Sequence, residues 1–370
     1  MLKCIHIMLH PTVRHNETII NVINDLHLTD VENHYLVFKK DVQEAFLKMT
    51  DNVFLGQDRV KAINECGKKY DYIFLHAMEL SPSEVFKIRK SVLKKIIWVC
   101  WGHDLYINRL EGGFVRKLKN FAKKIIWFPA NKRLKNIYGI GIGFKYDIMG
   151  AVERFGNIHI IRLPYGYRPG RLKCFSDIAD SLPKESKENA YKVMVGHSGH
   201  AILNHIEVLK KLSKFKNENI VISLVLAYGE EEYIDKVISF AKQEFDEDKL
   251  EIILKEQSYE DYIRYIAGVD IAVFDQIKQS GLGNINLLTA FGKKLYLNRN
   301  GILKTAMDFE YVDVGCVDEI EDMSFKEFTK PCENVNYSVR YGTTKQDESL
   351  SLYAWNNIFK ELKANSKKVK

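Results

Sequence analysis

Hydrophobic residues along the chain follow two alternating spacings. Continuous apolar runs, such as residues 72–76 and 95–101, are typical of strands that are buried on both faces. Between the runs, segments such as residues 16–26 carry apolar residues at helical spacing. This alternation predicts an α/β fold with parallel sheets that are covered by helices on both faces.

The same pattern gives the bounds of the predicted elements. In the first half, strands are predicted at 4–9, 34–38, 72–76, 95–101 and 124–128, and helices at 16–26, 42–49, 59–66, 83–93 and 113–121. In the second half, strands are predicted at 192–195, 220–227, 250–254, 271–274 and 294–297, and helices at 202–212, 231–245, 259–267, 283–291 and 350–362.

The alternation is interrupted once, near residues 158–172, by two prolines and two glycines that precede a polar stretch. A chain of 370 residues is also too long for one ordinary core. We therefore predict two Rossmann-like domains at 1–165 and 189–348, a linker at 166–188, and a C-terminal helix with a basic tail at 349–370. Ligands of such sheets bind beyond the carboxyl ends of the strands, so we expect the site in the cleft between the domains.

Charge is distributed unevenly along the chain. The net charge is +7, and residues 87–135 alone carry 14 basic and 2 acidic side chains. Such a surface attracts anionic lipid headgroups or nucleic acid, although it is also compatible with an ordinary solvated face. Because no nucleic-acid motif is recognised, we expect the partner to be an anionic membrane and not a nucleic acid.

Cysteine usage and hydropathy narrow the class of protein. Six cysteines without CxxC spacing indicate free thiols in a reducing cytoplasm and argue against a zinc site. No apolar run reaches the length of a transmembrane helix, and the first ten residues resemble a core strand more than a signal peptide.

The segment MVGHSGHAILNHIEVL combines a strand, a glycine-containing loop and a helical pattern. Gly196, His197, Ser198 and Gly199 follow the strand, where a helix N-terminus and free N–H groups favour a phosphate. A structural turn is the alternative, because the segment is neither a P-loop nor a GxGxxG motif.

A second loop of this kind follows the strand at 271–274. Gln279, Ser280, Gly281 and Gly283 lead into the next helix, in which Asn286 lies. Two such loops predict a nucleotide diphosphate held between two helix N-termini, and a pair of tight turns is the alternative. We assign Asn204, His205 and Tyr228 to the same donor site.

Candidate chemistry in the first half lies in WGHDLY. Asp104 is a candidate base or orienting group for a histidine, with His103 beside it, and Trp101 and Tyr106 could stack on a sugar. The alternative is an aspartate that caps a helix next to a core tryptophan.

Two further residues, His15 and Asn16, follow the first strand. Asn16 is a plausible helix N-cap, and we expect His15 in the same cleft as His103. No DxD-like pair follows a strand and GxSxG is absent, so we expect no metal, no cofactor and no serine-hydrolase site.

Four blocks together resemble a known family: RHNETIINVINDL, IWVCWGHDLY, MVGHSGHAILNHIEVL and QSGLGNINLLTAFGKKLYLNRNG. In order and spacing they are similar to the TDP-N-acetylfucosamine:lipid II N-acetylfucosaminyltransferases of enterobacterial common antigen synthesis, over about residues 5–300. The resemblance implies a GT-B fold, two Rossmann-like doubly wound domains facing across a cleft. It also implies a nucleotide-sugar donor in the second domain, a lipid-linked saccharide acceptor against the first, and a peripheral location at the cytoplasmic face of the bacterial inner membrane.

The resemblance carries over residue by residue. His15 and Asn16 match the His-Asn pair of the family on the acceptor side, and His103, His197 and His200 stand where the family has other residues. The remaining matches are Trp101, Gly102, Asp104, Leu105 and Tyr106, then Gly196, Ser198, Gly199, Asn204, His205 and Ile206, then Gln279, Gly281, Gly283, Leu287, Leu288 and Gly292.

We therefore expect a metal-independent glycosyltransferase that moves a deoxyamino sugar resembling Fuc4NAc from a dTDP-sugar to a lipid-linked saccharide. Asp104, His15 and His103 are the candidate catalytic residues. The alternatives are a GT-B transferase for another nucleotide sugar and a non-catalytic module that binds nucleotide sugars or glycans.

Overall fold

The chain forms two compact units. The computed structural model describes residues 1–106, 114–164, 166–182 and 190–369, without the side chains of Arg14, 114–120 and 367–369. The first unit comprises Met1–Pro169 and Glu348–Lys370, and the second comprises Gly170–Asp347. Tyr165 and residues 183–189, near the expected linker, lie outside the described residues.

The first unit is built on one parallel sheet. Its described strands are β1 (Leu2–Met8), β2 (Val31–Val37), β3 (Val53–Leu55), β4 (Tyr72–His76), β5 (Ile96–Val99), β6 (Gly139–Ile142) and β7 (Ile160–Arg162). They are ordered β3-β2-β1-β4-β5-β6-β7. The helices between them are α1 (Val13–Asp25), α2 (Lys40–Phe46), α3 (Arg59–Lys69), α4 (Pro82–Lys87), α5 (Lys90–Leu93), α6 (Phe114–Leu134) and α7 (Lys145–Phe155).

The second unit repeats this architecture with a parallel sheet ordered β10-β9-β8-β11-β12-β13. Its described strands are β8 (Tyr191–Val195), β9 (Ile220–Val225), β10 (Leu250–Ile253), β11 (Ile271–Phe274), β12 (Lys294–Leu297) and β13 (Gly315–Cys316). Its α-helices in the described ranges are α8 (Arg171–Ser181), α9 (His205–Leu212), α10 (Glu231–Glu244), α11 (Tyr259–Gly268), α12 (Leu282–Ala290), α13 (Ile302–Phe309), α14 (Phe325–Thr329) and α15 (Val335–Thr344).

The last helix, α16 (Ser349–Val369), belongs to the first unit. Trp355 and Phe359 of this helix are fully buried and pack on Phe74 of β4, with ring centroids 5.6 and 5.8 Å away. The Trp355 Nε1–H donates to the carbonyl of Pro164 at 3.0 Å. The helix thus covers one face of the first sheet and makes its strands buried on both faces, as their continuous apolar sequences predict.

The predicted α/β class is confirmed, but several predicted elements were wrong. The strand expected at 124–128 lies within helix α6, because a short apolar run fits a helix as well as a strand. The helix expected at 83–93 is two helices, since Ile88 and Arg89 have extended backbones between α4 and α5. The expected linker contains helix α8, which is part of the second unit.

Four short strands were missed: β3, β6, β7 and β13. The sequence of β6 is GIGI, and glycine has a low strand propensity. Glycine is needed at Gly139 because the next strand approaches closely. A Cβ on this residue would lie 2.9 Å from the His159 carbonyl oxygen. Among the described helices, none is long and apolar enough to span a membrane.

Two histidines are fully buried in the first sheet. His6 Nε2 lies 3.2 Å from the amide oxygen of Asn33, and His6 Nδ1 lies 3.0 Å from His76 Nε2. Since the amide oxygen accepts, Nε2 of His6 carries the proton and Nδ1 accepts from His76 Nε2–H. Burial lowers the pKa of His6 to about 3, against the bond to Asn33, which raises it, so the folded protein holds this ring neutral.

We predict that this buried ring makes stability fall in mild acid. Because the unfolded chain binds a proton near pH 6.5 and the folded chain does not, the free energy of unfolding is retained above that pH and falls below it. The His6 contribution to the loss between about pH 7 and about pH 5 is about 2 kcal/mol. Denaturant unfolding at both pH values measures it.

The matched variants for this test are His6→Phe and Phe74→Leu. Both disturb the packing, since the His6 and Phe74 rings stack with centroids 4.6 Å apart, but only His6→Phe removes the titrating ring. The pH-dependent loss should shrink in His6→Phe and persist in Phe74→Leu. An equal loss in both variants would contradict the assignment to His6.

Candidate functional site

Two loops of the second unit meet at the carboxyl ends of neighbouring strands. Strands β8 and β11 pair directly, so residues 196–199 and 275–281 follow them at the same edge of the sheet. His197 Nε2 in the first loop lies 3.2 Å from the Ser280 hydroxyl in the second. The structure thus brings together two residues that the sequence assigned to one donor site.

Left-handed glycines make room for two imidazoles in these loops. Gly196 has a φ of +66° and Gly281 a φ of +71°. A Cβ on Gly196 would lie 2.2 Å from His205 Nε2, and a Cβ on Gly281 would lie 2.5 Å from His197 Cδ2. Glycine is therefore required here by both the backbone conformation and the adjacent rings.

Several buried polar atoms of this edge lack a partner among the described residues. Buried polar groups are normally hydrogen-bonded, and each exception costs about 1–3 kcal/mol. A bound ligand with several donors and acceptors could satisfy such a set. The atoms are His197 Nδ1, Ser198 Oγ, both ring nitrogens of His205, Gln276 Oε1, Gln279 Oε1 and Asn286 Oδ1.

Both buried histidines of this edge are neutral. Burial lowers the pKa of His197 to about 4, against an interaction with its own backbone, and the nearby His200 acts in the same direction as burial. Burial likewise lowers the pKa of His205 to about 4, helped by His197. A neutral imidazole carries one N–H donor and one acceptor, so each ring can donate to an anionic oxygen without being charged beforehand.

The role expected for the first glycine loop needs correction. The N–H of Gly196 donates to the Val273 carbonyl at 3.1 Å, and that of Gly199 donates to the Tyr228 carbonyl at 2.6 Å. These two donors are therefore used within the sheet and the adjacent loop. Helix α9 also begins only at His205, because residues 201–203 form a short 3₁₀ turn, so the loop does not lead directly into the helix.

The second glycine loop leads directly into a helix, as the sequence predicts. Gly281 is the N-cap residue of α12, so the first N–H groups of that helix begin directly after the loop. The initial N–H groups of a helix have no intrahelical partner and carry a partial positive charge. Gly283 lies in this first turn, where a Cβ would meet open space.

Other predicted donor residues have structural partners. The Asn204 side-chain amide donates to the Asp275 carbonyl at 3.0 Å, and Asn298 donates to the Asp275 carboxylate at 2.8 Å. Asn204 therefore ties the segment before α9 to the loop after β11. Tyr228 is exposed, with its ring 5.9 Å from that of His200.

In the first unit, Asp104 is not placed to act as a catalytic base. Its Oδ2 accepts from the N–H of Met78 at 2.8 Å and from Trp98 Nε1–H at 2.6 Å. Its Oδ1 accepts from the N–H of Trp101 at 3.0 Å and lies 3.5 Å from Cys100 Sγ. The buried carboxylate is thus occupied in fixing the loops after β4 and β5, which corrects the expected role.

A carboxylate that sequence reasoning missed lies at this edge. Glu79 Oε1 is 3.6 Å from His10 Nε2 and 3.8 Å from His103 Nε2. The loops after β1, β4 and β5 contribute these residues, because the three strands are neighbours in the sheet. Their positions in the sequence could have identified them, because Glu79 and His10 each follow a buried apolar strand, as the predicted site residues do.

Charge keeps Glu79 ionised. Desolvation alone would raise the pKa of Glu79, but the nearby His103 and His10 imidazoles and the Arg59 guanidinium outweigh it and lower the pKa. The N–H of Thr12 donates to His10 Nδ1 at 3.3 Å, so the Nε2 of a neutral His10 carries the proton that faces the carboxylate.

The remaining acceptor-side residues surround this carboxylate. His15 is exposed and lies edge-on to Trp101, with centroids 5.4 Å apart, and the His10 ring is also 5.4 Å from Trp101. Asn16 is buried inside α1 and donates to the His10 carbonyl at 2.8 Å. It is therefore not the predicted N-cap, a position that Thr12 occupies.

Two more predicted residues support the loop after β5. Gly102 has a φ of +87°, which permits the turn, and Tyr106 donates its hydroxyl hydrogen to Asp147 at 2.8 Å. Tyr106 is therefore held against α7.

Two other features of the described residues, their acidic and metal-ligating side chains and a cleft in the second unit, bear on where chemistry can occur. Within the described ranges no group of three or more His, Cys, Asp or Glu side chains is arranged to hold a metal ion. A cleft of about 480 Å³ in the second unit is lined by Lys294, Gly315 and Cys332, among others. It lies at the amino ends of β12 and β13, away from the glycine loops, so we place no chemistry there.

Solved structures resemble the chain over nearly its full length. A glycosyltransferase from Rickettsia africae matches with a TM-score of 0.63 and 12% identity, covering 98% of both chains. Alr3699/HepE from Anabaena, solved in complex with UDP, matches with a TM-score of 0.64 and 11% identity, covering 97% of this chain and 100% of that one. An α,α-trehalose-phosphate synthase from Burkholderia xenovorans matches with a TM-score of 0.59 and 10% identity, covering 98% and 100%.

These similarities, together with the two parallel sheets, confirm the expected GT-B fold. The family resemblance is confirmed as well. A sequence model described as 4-alpha-L-fucosyltransferase, glycosyl transferase group 56, matches residues 1–336, and the chain belongs to this family of glycosyltransferases.

Proposed function

We propose that this glycosyltransferase moves a deoxyamino sugar resembling Fuc4NAc from a dTDP-sugar to a lipid-linked saccharide during bacterial surface-glycan assembly. The observation that carries the donor half is the pair of buried neutral imidazoles, His197 and His205, among buried polar atoms that lack partners in the described chain. The four sequence blocks that resemble the Fuc4NAc transferases support the choice of sugar. The UDP bound to HepE shows that one protein of similar fold holds a nucleoside diphosphate.

The loops of the second unit would hold the diphosphate. His197 and His205 donate to phosphate oxygens, Ser198 and Ser280 add hydroxyl donors, and the N-terminus of α12 contributes its dipole. As the bond from the anomeric carbon to the diphosphate oxygen breaks, its electron pair leaves with the nucleoside diphosphate. Fixed donors around that oxygen stabilise the developing charge.

Glu79 is the proposed proton acceptor on the acceptor side. It takes the proton of the attacking hydroxyl while that oxygen forms its bond to the anomeric carbon. His10 and His103 orient the carboxylate, and the buried Trp101 ring packs against both imidazoles and supports them. This assignment implies inversion at the anomeric carbon, because a single displacement needs one such base.

The acceptor would reach the enzyme at an anionic membrane surface. The basic segment at 87–135 supports this, with exposed Lys87, Arg89, Lys90 and Lys94 on and around α4 and α5. Each basic residue near an anionic surface contributes about 1 kcal/mol. We therefore propose a peripheral position at the cytoplasmic face of the inner membrane.

The proposed nucleotide is tested by thermal shift with dTDP, UDP and GDP. A ligand at about 100 times its Kd adds about 2.7 kcal/mol to stability, so the correct nucleotide should raise the Tm by several degrees more than the others. We expect dTDP to give the largest shift. A larger shift with UDP or GDP would assign the donor to another nucleotide.

We predict that Gly281→Ala weakens dTDP binding at least about tenfold, because the new Cβ displaces the His197 ring and strains a left-handed backbone. Calorimetry well below the Tm measures the affinity. Gly268→Ala is the matched control, since a Cβ there meets no atom within 4 Å. Equal affinities for dTDP in both variants would refute the role of His197.

We predict that Glu79→Gln lowers kcat at least about 100-fold while dTDP-sugar binding stays within about twofold, because the amide cannot accept the proton. The assay uses dTDP-4-acetamido-4,6-dideoxygalactose and a lipid-linked saccharide. Glu65→Gln, on the exposed face of α3, is the control and should retain wild-type turnover. Retention of configuration in the product, measured by NMR, would overturn the assignment of Glu79 as the base.

A further inference from the structure

Helix α6 exposes four large apolar side chains in a short segment. Phe121 is 63% exposed, Ile125 58%, Ile126 60% and Phe128 59%. Single apolar residues on a protein surface are ordinary, but three on one helix face, at 121, 125 and 128, form a patch of the kind that marks an interaction surface. The apolar area has no counterpart among the other described helices, where exposed large apolar residues occur one or two at a time.

Among the residues of this helix whose side chains the structure describes, 121–134, those at the C-terminal end anchor it to the unit. Ala130 and Leu134 are buried in the core of the first unit, and Arg133 donates to the carbonyls of Val85 and Ile88. By contrast, every residue from 121 to 126 is exposed. The body of the unit therefore holds one end of α6 and leaves this segment in contact with its surroundings on all sides.

The apolar residues share a stripe that is bordered by cations. Residues 121, 125 and 128 follow one another at spacings of four and three, which places them on one face of the helix. Lys132 continues this face, with its Nζ 4.6 Å from the centroid of the Phe128 ring. Lys124 is exposed beside the stripe, Lys123 is exposed on the opposite side of the helix, and the sequence of α6 contains no acidic residue.

We propose that α6 is a membrane-docking helix that lies in the interface of an anionic bilayer. Phe121, Ile125 and Phe128 enter the boundary between headgroups and acyl chains, and the lysines contact lipid phosphates. This inference rests on the proposed function, in which a lipid-linked acceptor brings the enzyme to a membrane. It adds an apolar component to the electrostatic attraction of the basic segment.

Charge decides between a lipid surface and a second copy of the chain. A second copy would place the same acid-free, lysine-bearing helix against this one, and like charges facing each other disfavour association. An anionic bilayer offers both the apolar layer and the opposite charge that this helix lacks.

Salt separates the two components of binding in a vesicle experiment. Attraction between charges is screened within about 8 Å at physiological salt, whereas burial of apolar side chains is not. Full-length protein is sedimented with vesicles of phosphatidylcholine alone and with vesicles that contain phosphatidylglycerol, at low and at high salt. The wild type should bind the phosphatidylglycerol vesicles at low salt and retain part of this binding at high salt.

Two double variants assign these components to α6. Phe121→Ser/Ile125→Ser should lower affinity at least about tenfold at both salt concentrations, because it removes the inserted apolar area. Lys124→Gln/Lys132→Gln, which removes the two cations that border the stripe, should lower affinity at low salt only. Leu254→Ser/Leu350→Ser removes two apolar residues of similar exposure, 54% and 48%, and should bind as the wild type does.

The outcomes separate this proposal from the proposed function. Wild-type vesicle binding by Phe121→Ser/Ile125→Ser would overturn the docking helix. A wild-type dimer that this variant dissociates, in the absence of vesicle binding, would overturn it in favour of a second copy. If Phe121→Ser/Ile125→Ser loses vesicle binding while its thermal shift with dTDP is unchanged, the docking helix is supported. If the wild type binds vesicles but responds to none of the three nucleotides, the docking helix stands and the donor assignment is refuted.

Discussion

Parallel pairing of the strands is the constraint on which both candidate sites depend. In a parallel sheet every strand ends at the same edge, so loops that are far apart in sequence meet there. In the second unit this brings His197 within hydrogen-bond distance of Ser280, although 83 positions separate them. In the first unit it brings the imidazoles of His10 and His103 within 4 Å of the same oxygen, Oε1 of Glu79.

The two edges differ in how they treat polar groups. In the first unit the buried carboxylate of Asp104 is satisfied by protein donors, and the result is a rigid turn that presents Trp101 and His103. In the second unit the imidazoles of His197 and His205 are buried with ring nitrogens that have no partner among the described residues. A protein tolerates such groups where a ligand completes them, because their desolvation is then offset by bonds to that ligand. The first arrangement positions side chains, and the second suits the ligand binding that we propose.

Neutral histidines suit the role that we propose for this site, which is to bind an anion and to release it. A permanent positive charge would hold a nucleoside diphosphate in the product as strongly as in the transition state. Burial keeps the pKa of both rings near 4, so each contributes a directed N–H donor instead of a full charge. Basic charge is concentrated instead in the segment 87–135, where the membrane contact that we propose needs attraction over distance more than directed bonds.

The sequence by itself determined the α/β class, most of the central strands, and the two glycine loops, because continuous apolar runs and glycines at strand ends reflect local constraints. It misread residues 124–128 as a strand, since an apolar run identifies burial but not backbone conformation. Only the tertiary structure decided that Asp104 is saturated by donors, that Glu79 lies between two histidines, and that Gly196 and Gly281 make room for imidazoles. Each of these depends on which loops meet at a sheet edge, and strand order is set by contacts between residues far apart in the chain.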